Sequence, residues 1–249
     1  MNMEEMSLRG KVAIVAGDGR AWDRYIALAL AEAGAEVVIA APKPEEAAQE
    51  VRRLGGRAVA IPVDVTKSSE VEKMVARTIA EFSKVDILVN SADLEFAKPL
   101  LEVTEEEWHR VVEANLTSVF LCSKAVGKHM LEQKKGRIIN IASGLAVRGL
   151  PNSTAYCAAK GGVLQFTKAL ALEWARENIR VNAIGPGWFS KGEVSDEEGQ
   201  QDPLLRYLPM RRRGHPSELG VLVVYLASDA SDYVSGQIFF VDGGVLAHA

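Results

Sequence analysis

The sequence predicts a single-domain α/β protein with a doubly wound, seven-stranded parallel sheet and helices on both of its faces. Short apolar runs rich in β-branched residues alternate with longer segments of helical periodicity from end to end, which is typical of βαβ units. Runs such as Val12–Val15 and Ile87–Val89 are apolar at every position, as expected of strands buried on both faces. The length of 249 residues is ordinary for one such domain.

The predicted elements follow one another in a regular order. We assign strands to residues 11–16, 36–41, 57–62, 85–90, 136–142, 179–184 and 237–241. Helices are predicted between them at about 22–33, 45–54, 68–82, 104–133, 154–178 and 217–228. The segment 185–216 lacks periodicity and is rich in glycine, proline and charge. Because long irregular segments in compact domains are usually functional, we expect residues 187–216 to form a variable substrate lid within one domain spanning 1–249.

Composition and charge exclude several classes of partner. The formal net charge is −4, so the chain has no overall basic field to recruit nucleic acid or anionic lipid, and the short cluster Arg211–Arg213 does not change this. Neither the two cysteines nor the four histidines show the spacing of a metal site, so we predict no bound metal. The first residues lack the apolar stretch of a secretory signal and no run is long enough to span a membrane, so we expect a cytoplasmic protein.

The sharpest local signal is the pair Tyr156 and Lys160, four residues apart on a predicted helix. This spacing places both side chains on one helix face. A phenol with a pKa of about 10 exchanges protons poorly at neutral pH, but an adjacent ammonium favours the phenolate and lowers that pKa. Tyr156 would then serve as a general acid towards a ketone or as a base towards an alcohol, although such pairs are also common as solvated surface residues.

A serine strengthens the catalytic interpretation. Ser143 directly follows the predicted strand 136–142. Ligands bind at the carboxyl ends of the strands in doubly wound sheets, so the Ser143 hydroxyl can hold a substrate oxygen beside the phenol. A serine at this position can equally well cap a loop.

These residues resemble the catalytic set of the short-chain dehydrogenase/reductase family, in which a serine, a tyrosine thirteen residues later and a lysine four residues after that match Ser143, Tyr156 and Lys160. Asn115 matches the family's fourth catalytic position. The similarity covers nearly the whole chain, and its motifs look closest to 3-oxoacyl-thioester reductases and sugar-alcohol dehydrogenases. The other matching motifs are Asp64-Val65, Asn90-Ser91-Ala92, Arg180–Ile184 before Pro186-Gly187, Tyr233–Gly236 and Val241–Gly244.

The resemblance implies a Rossmann-like fold and a role for each matched residue. Tyr156 would exchange the proton, Lys160 would tune it and bind the nicotinamide ribose, and Ser143 would orient the carbonyl. Asn115 would hold a water that relays protons to Lys160. The implied catalytic residues are Asn115, Ser143, Tyr156 and Lys160, and the implied coenzyme-binding residues are Gly17, Gly19, Arg20, Trp22, Asp64, Val65, Asn90, Ala92, Tyr156, Lys160, Pro186 and Gly187.

The phosphate-binding loop departs from the family pattern Thr-Gly-x-x-x-Gly-x-Gly, because Ala21 and Asp23 occupy the later glycine positions. A carboxylate about 5 Å from the pyrophosphate would cost roughly 3 kcal/mol at an effective dielectric constant of ~20. The cost would be smaller if Asp23 turned away, or if Arg20 and Arg24 neutralised it. Alternatively, Asp23 satisfies amides at the helix N-terminus that a phosphate would otherwise use.

Further departures affect the nicotinamide side and the choice of coenzyme. Asp93 stands where the family's Asn-Asn-Ala-Gly motif has its glycine, Ser91 replaces the second asparagine, and Lys191 stands where a threonine usually follows Pro-Gly. The second strand ends without the acid that NAD-preferring members carry. Arg20 precedes the second glycine position, where NADP-preferring members often have a basic residue. The resemblance therefore implies NADP or NAD, with a slight preference for NADP.

The leading hypothesis is an NAD(P)(H)-dependent oxidoreductase that interconverts a ketone and a secondary alcohol by hydride transfer, with Tyr156 as general acid/base. The altered loop motivates an alternative, a protein of the same fold with impaired or lost cofactor binding that serves as a ligand-binding or assembly subunit. The resemblance also implies a homotetramer or a homodimer. The substrate is expected to be a small carbonyl or alcohol, and nothing in 187–216 identifies it.

Overall fold

The seven apolar runs pair into one parallel sheet in the computed structural model of the chain, which describes residues 3–190 and 203–247. Numbered along the chain, the strands lie in the order β3-β2-β1-β4-β5-β6-β7. Each begins and ends within two residues of its predicted bounds, which confirms the doubly wound fold class. The strands are β1 (Val12–Ala16), β2 (Glu36–Ala41), β3 (Ala58–Pro62), β4 (Ile87–Asn90), β5 (Gly136–Ile141), β6 (Ile179–Pro186) and β7 (Ile238–Val241).

Helices connect the successive strands. The predicted helix over 68–82 is found with the same bounds, and the helical stretches predicted over 104–133 are two helices joined by a π-helical turn at Glu113–Thr117. A short 3₁₀ turn at Pro216–Leu219 precedes the last helix, which therefore begins later than predicted. The helices are α1 (Ala21–Glu32), α2 (Glu45–Arg53), α3 (Ser68–Phe82), α4 (Glu105–Val112), α5 (Ser118–Gln133), α6 (Thr154–Glu173) and α7 (Gly220–Ala227).

Local sequence signals explain two of the helix ends. Thr104 caps α4 by accepting a hydrogen bond from the Glu107 amide, while the Glu107 side chain accepts one from the Thr104 amide. This reciprocal capping box satisfies two amides that a helix start leaves unpaired. After α6, Asn178 adopts a left-handed conformation with φ of 57° and turns the chain into β6. Asparagine tolerates this conformation better than most residues.

The sheet separates two apolar layers. In β1, Ala13 and Val15 belong to one layer while Ile14 and Ala16 belong to the other, as the pleat of a strand requires. The first layer packs α1, α2 and α7 against the sheet, and the second packs α3, α5 and α6 against it. Of the helices in the described residues, none combines the length and apolar character needed to cross a membrane.

A crevice forms at the carboxyl ends of β1 and β4, which are neighbours in the sheet. The chain leaves β1 towards β2 on one side and leaves β4 towards β5 on the other, so the two connections diverge. Such switch points are where ligands bind in doubly wound sheets. The loops that follow β1, β4, β5 and β6 all open towards this edge of the sheet.

Close helix packing generates a stability prediction at Gly127 of α5, where a Cβ would overlap the Trp174 ring. Gly127→Ala should therefore lower the free energy of unfolding by about 1–3 kcal/mol, because the ring must shift in a packed layer. Gly161→Ala is the matched control, since its Cβ would meet only the Ala146 carbonyl oxygen at 3.5 Å. This change should stabilise α6 by about 0.5–1 kcal/mol. Urea unfolding measures both, and shifts of the same sign would contradict the packing argument.

Candidate active site

A cavity of about 650 Å³ lies at the carboxyl ends of the strands. Ser143 and Tyr156 line its interior, Arg20 and Trp22 line one side, and the segment from Pro186 to Ser190 lines another. Ligand pockets typically enclose about 300–1,000 Å³, so this cavity has room for a small substrate and the reactive part of a coenzyme. Six of the predicted site residues therefore line one cavity at the switch point of the sheet, namely Arg20, Trp22, Ser143, Tyr156, Pro186 and Gly187.

Ser143 and Tyr156 come together from different elements. Ser143 follows β5 with an extended backbone and caps the turn Gly144–Ala146, where its hydroxyl oxygen accepts a hydrogen bond from the Leu145 amide at 3.1 Å. Tyr156 lies in the first turn of α6, is only 7% exposed, and lies close enough to Ser143 for the serine hydroxyl to favour its phenolate. The capping role and the catalytic role considered for Ser143 are thus compatible, because a hydroxyl can accept one hydrogen bond and donate another.

Lys160 lies one helical turn beyond Tyr156 and is completely buried. Its ammonium is 3.2 Å from the carbonyl oxygen of Ile141 and 3.4 Å from that of Ala92. Ile141 is the last residue of β5, and Ala92 lies two residues after the end of β4. The ammonium therefore joins α6 to the carboxyl ends of two strands. A buried charge requires such partners, because an unpaired one would be very costly.

Asp93 is the third partner of Lys160. One carboxylate oxygen, Oδ1, lies 3.0 Å from Lys160 Nζ and accepts a hydrogen bond of 2.8 Å from the Tyr156 hydroxyl. The other, Oδ2, lies 3.8 Å from the Arg20 guanidinium. Sequence reasoning noted Asp93 only as a departure from the family motif, because nothing local shows that residues 93, 156 and 160 meet.

The acid–base state of Tyr156 differs from the expectation. Burial and the Asp93 carboxylate raise the pKa of Tyr156 well above its usual value of 10.0, while the Ser143 hydroxyl acts in the opposite direction. The prediction that Lys160 lowers this pKa is wrong for this structure. The reason is that the Lys160 charge is paired with Asp93, whose own charge repels a phenolate.

Asn115 lies in the π-helical turn between α4 and α5 and is completely buried. Its amide group accepts from the Leu94 amide at 3.1 Å and donates to the carbonyls of Leu94 and Val111 at 3.0 Å. Such turns often occur at functional sites. The side chain thus holds the segment after β4, which carries Asp93, and the water that the resemblance assigns to Asn115 stays a prediction.

The phosphate-binding loop accommodates Asp23 as a buried group. Its carboxylate lies against Gly17, where any Cβ would overlap it, and it accepts hydrogen bonds from the Gly19 amide at 2.7 Å and the Ser91 hydroxyl at 2.5 Å. Burial and the nearby Asp18 carboxylate raise the pKa of Asp23 to about 7, against the opposing effect of these hydrogen bonds. Asp23 thus satisfies an amide of the loop, but not the amides at the N-terminus of α1 that the sequence alternative assigned to it.

Arg20 turns towards the catalytic cavity. Its guanidinium lies 3.0 Å from Asp18, whose carboxylate also accepts a hydrogen bond from the Arg20 amide at 3.2 Å. Neighbouring Trp22 packs on Phe189 with ring centroids 5.1 Å apart, which joins the start of α1 to the segment after β6. Phe189 is a site residue that sequence reasoning missed, because the pairing of two aromatic rings 167 positions apart leaves no local signal.

The remaining predicted coenzyme residues are distributed along the same edge of the sheet. Asp64 is exposed and accepts hydrogen bonds from the amide and hydroxyl of Thr66, while Val65 is buried. Asn90 donates to Asn140 at 2.8 Å, and its Oδ1 has no hydrogen-bond partner among the described residues. Pro186 ends β6, and Gly187 packs against Asp242, so a Cβ there would meet the Asp242 backbone.

Only the two ends of the predicted lid are described. The Ser190 amide donates to the Gly214 carbonyl at 2.9 Å, and the Gly214 amide donates to the Trp188 carbonyl at 3.0 Å. These bonds hold the ends of the segment together beside the cavity. Residues 191–202, including Lys191, lie outside the described part of the chain.

The donor set fits a nicotinamide dinucleotide. Within the described residues no side chain caps the first turn of α1, so its backbone amides and the Arg20 guanidinium can bind a pyrophosphate. The cavity extends from there to Ser143 and Tyr156. At that end the Asp93 carboxylate can accept hydrogen bonds from sugar hydroxyls. Asp18 accepts a hydrogen bond from the Arg20 amide and Asp23 accepts one from the Gly19 amide. The first amides of α1 are therefore available to bind the phosphates.

A doubly wound sheet with a serine, a tyrosine and a buried lysine at its carboxyl edge defines the dinucleotide-dependent class of oxidoreductases. Comparison with known proteins agrees. A family model described as enoyl-(acyl carrier protein) reductase matches residues 21–246. The chain is 40% identical to a 3-oxoacyl-[acyl-carrier-protein] reductase of Synechocystis sp., over 96% of this chain and 98% of that one. It is also 40% identical to a 2-dehydro-3-deoxy-D-gluconate 5-dehydrogenase of Escherichia coli, over 99% and 100% of the two chains.

Solved structures give the same result. A gluconate 5-dehydrogenase from Burkholderia cenocepacia, in complex with NADP and tartrate, superposes with a TM-score of 0.90 at 34% identity and covers 99% of both chains. The chain belongs to the short-chain dehydrogenase/reductase family, whose members are NAD(P)-dependent oxidoreductases.

The buried Asp23 carboxyl generates a stability prediction. Because its pKa is raised from 3.8 to about 7, the folded state binds an extra proton between these values, and stability falls as the pH rises from 4 to 7. Asp23→Asn keeps the shape without the charge, so it should raise the free energy of unfolding by a few kcal/mol at about pH 8. This advantage should shrink as the pH falls towards 4.

Thermal unfolding at several pH values measures the effect. The control is Asp64→Asn, because Asp64 is an exposed carboxylate whose pKa its Thr66 hydrogen bonds lower, and its substitution should give no gain at pH 8. A constant difference between Asp23→Asn and the unmodified protein from pH 4 to 8 would show that Asp23 does not carry a raised pKa.

Proposed function

We propose that the protein interconverts a ketone and a secondary alcohol with NADP(H), or with NAD(H), as hydride donor or acceptor. The observation that carries the proposal is that Ser143 and Tyr156 line the same cavity at the switch point, with Lys160 buried directly behind. A hydroxyl pair can hold a carbonyl oxygen and protonate it, which is the acid–base part of such a reaction.

The proposed coenzyme site follows the carboxyl edge of the sheet. The amides at the start of α1, with Gly17, Gly19, Arg20 and Trp22, would hold the pyrophosphate. Asp64 and Val65 after β3 would lie beside the adenine, with Asn90 and Ala92 after β4 in the middle of the groove. Tyr156, Pro186 and Gly187 would hold the nicotinamide half, with Lys160 buried behind Tyr156. The preference for NADP is supported by the relative that was solved with NADP.

The chain's residues perform the proton chemistry. When bound, the nicotinamide supplies a hydride to the carbonyl carbon. The Ser143 hydroxyl donates to the carbonyl oxygen and orients it, and the Tyr156 hydroxyl transfers its proton to the same oxygen. The phenolate that remains takes a proton from solvent before the next turnover. Asn115 acts at a distance by fixing the backbone of Leu94, and Trp22 with Phe189 excludes water from one side of the cavity.

For the substrate we propose a small polar ketone that bears an acidic group. The cavity combines apolar walls such as Phe96 and Leu145 with the guanidinium groups of Arg148 and Arg213. Arg148 is exposed and lies 5.9 Å from the centre of the Trp188 ring. Arginine binds carboxylates in bidentate geometry. Two relatives are named for gluconate derivatives, which carry such a group. A 3-oxoacyl thioester is the second candidate, favoured by the relative of that name.

Tyr156→Phe tests the reaction. This change should lower kcat/KM for ketone reduction by about 10²–10⁴, because it removes the proton donor. The control is Tyr233→Phe, since Tyr233 is fully exposed, and its activity should be unchanged. Oxidation of NADPH and NADH is followed by absorbance with keto derivatives of sugar acids and with a 3-oxoacyl thioester.

Calorimetric titration separates the two hypotheses drawn from the sequence. The enzyme requires that NADPH or NADH binds to the unmodified protein and to Tyr156→Phe alike. If neither NADPH nor NADH bound, the result would favour a subunit without turnover. Native-rate turnover by Tyr156→Phe would refute the role of the tyrosine.

We also propose a cytoplasmic homotetramer or homodimer. Both cysteines of the chain are free thiols, which a reducing compartment preserves. Trp108 on α4 and Phe120 on α5 are 37% and 44% exposed, and every residue of the edge strand β7 is partly exposed. Apolar groups and a strand edge left open in this way are typical of surfaces that another subunit covers.

Light scattering tests the assembly. The unmodified protein should have two or four times the mass of one chain, and Phe120→Glu should shift it towards the monomer by burying a charge in the interface. Leu54→Glu is the control, because Leu54 is 64% exposed but follows α2, away from α4 and α5. A monomeric unmodified protein would contradict the assembly, and an unchanged mass of Phe120→Glu would remove α5 from the interface.

A further inference from the structure

Asp93 forms a three-membered cluster with Tyr156 and Lys160 that neither the resemblance nor the relatives assign. A single oxygen, Oδ1, accepts from the tyrosine hydroxyl at 2.8 Å and lies 3.0 Å from the lysine ammonium. Asp93 is 7% exposed and Lys160 is completely buried, so little solvent screens the three groups from one another. Interactions between charges in such surroundings are stronger than at a surface.

The contacts of Lys160 show what the carboxylate does to the lysine. The ammonium has three hydrogens, and its polar partners among the described residues are the carbonyls of Ala92 and Ile141 and the Asp93 carboxylate. Only the last of these carries a charge. The positive charge that would stabilise a Tyr156 phenolate is therefore compensated by a negative charge that lies 2.8 Å from the phenol oxygen.

The contact with Tyr156 acts in the same direction. The phenol donates its hydrogen to Asp93, and this hydrogen bond exists only while the phenol is protonated. Loss of the proton to solvent would break it and leave two anions at hydrogen-bond distance from each other. The Ser143 hydroxyl, which can donate to a phenolate, opposes this effect only in part.

Other charged groups surround the cluster from each neighbouring element. Arg20 and Asp18 approach from the loop after β1, and their charges largely offset each other, because they form an ion pair at 3.0 Å. Glu95, from the same segment as Asp93, adds a further negative charge near Tyr156. Further ionisable groups within the described residues are Asp23 at the start of α1 and, in the wall of the same cavity, Arg148, Arg213 and Asp242.

We infer that Asp93 is a positioning residue that keeps the Tyr156 hydroxyl protonated and compensates the charge of Lys160, so that the tyrosine becomes a base only in alkaline solution. A carbonyl substrate then meets a protonated tyrosine at every pH near neutrality, whereas oxidation of an alcohol requires the phenolate and accelerates with rising pH. This consequence for turnover rests on the proposed function, but the protonation of Tyr156 does not.

The direct test is a spectroscopic titration of the phenol in the whole protein without coenzyme. The chain has five tyrosines, so the signal of Tyr156 must be isolated by difference. The unmodified protein, Asp93→Asn and Glu95→Gln are each titrated with and without the additional change Tyr156→Phe, and the two ultraviolet curves of each pair are subtracted. Asp93→Asn retains the shape and an oxygen acceptor but removes the charge, and Glu95→Gln removes a nearby charge without breaking the contact with the phenol.

In the unmodified protein, Tyr156 should form no phenolate below about pH 10, the ordinary value for tyrosine. In Asp93→Asn it should ionise at a pH lower by about one or more, which is ~tenfold more phenolate at a given pH. Glu95→Gln should move the titration by much less. Equal titration of Tyr156 in the unmodified protein and in Asp93→Asn would overturn the inference. Ionisation of Tyr156 at or below pH 10 in the unmodified protein would also overturn it, and this measurement does not require any Asp93 variant to fold.

Kinetics supply the second measurement. In the unmodified protein, kcat/KM for alcohol oxidation should still rise with pH at the highest pH at which the protein stays folded. In Asp93→Asn it should level off at a lower pH. An identical pH profile in the two proteins would overturn the inference for turnover. If no substrate is turned over at all, the proposed function fails, and the titration still decides the role of Asp93.

Discussion

The active-site edge of this protein depends on one buried charge, the ammonium of Lys160. Because the group has no exposure to solvent, it must be surrounded by acceptors. It obtains them from the ends of β5 and of the segment after β4, and from Asp93. One side chain of α6 thus fixes the distance between that helix and two strands. The position of Tyr156, one turn earlier on the same helix, follows from this arrangement.

The departures from the family motifs compensate one another. Asp23 replaces a glycine, but its carboxylate lies against Gly17, the one loop glycine of the pattern that is retained, and Ser91 donates to it at 2.5 Å. Asp93 also replaces a glycine, and its charge is balanced by Lys160. Each aspartate that replaces a glycine therefore has a hydrogen-bond or ion-pair partner in the structure. Such partners are necessary because an unpaired buried charge would strongly destabilise the fold.

The fold could be predicted because each of its signals is local. An apolar run such as Ile87–Val89 predicts a buried strand from its own residues. The match of Ser143 and Tyr156 to a family motif depends only on the number of residues between them. The acid–base state of the site could not be predicted in this way. It depends on the meeting of Asp93 with side chains 63 and 67 positions away, and on the direction in which Arg20 turns. Local patterns carry no information about such contacts.

The protonation of Asp23 also decides how the altered loop meets an anionic coenzyme. The repulsion of roughly 3 kcal/mol expected from its carboxylate assumed a full charge. With a pKa of about 7, the group is charged in only about half of the molecules near neutral pH, and fully charged only in more alkaline solution. A pyrophosphate at the start of α1 would shift the group further towards its neutral form, since a second anion nearby disfavours the charge. Binding of the coenzyme at this place would then take up a proton, and the neutral carboxyl would remove the conflict between the loop and its ligand.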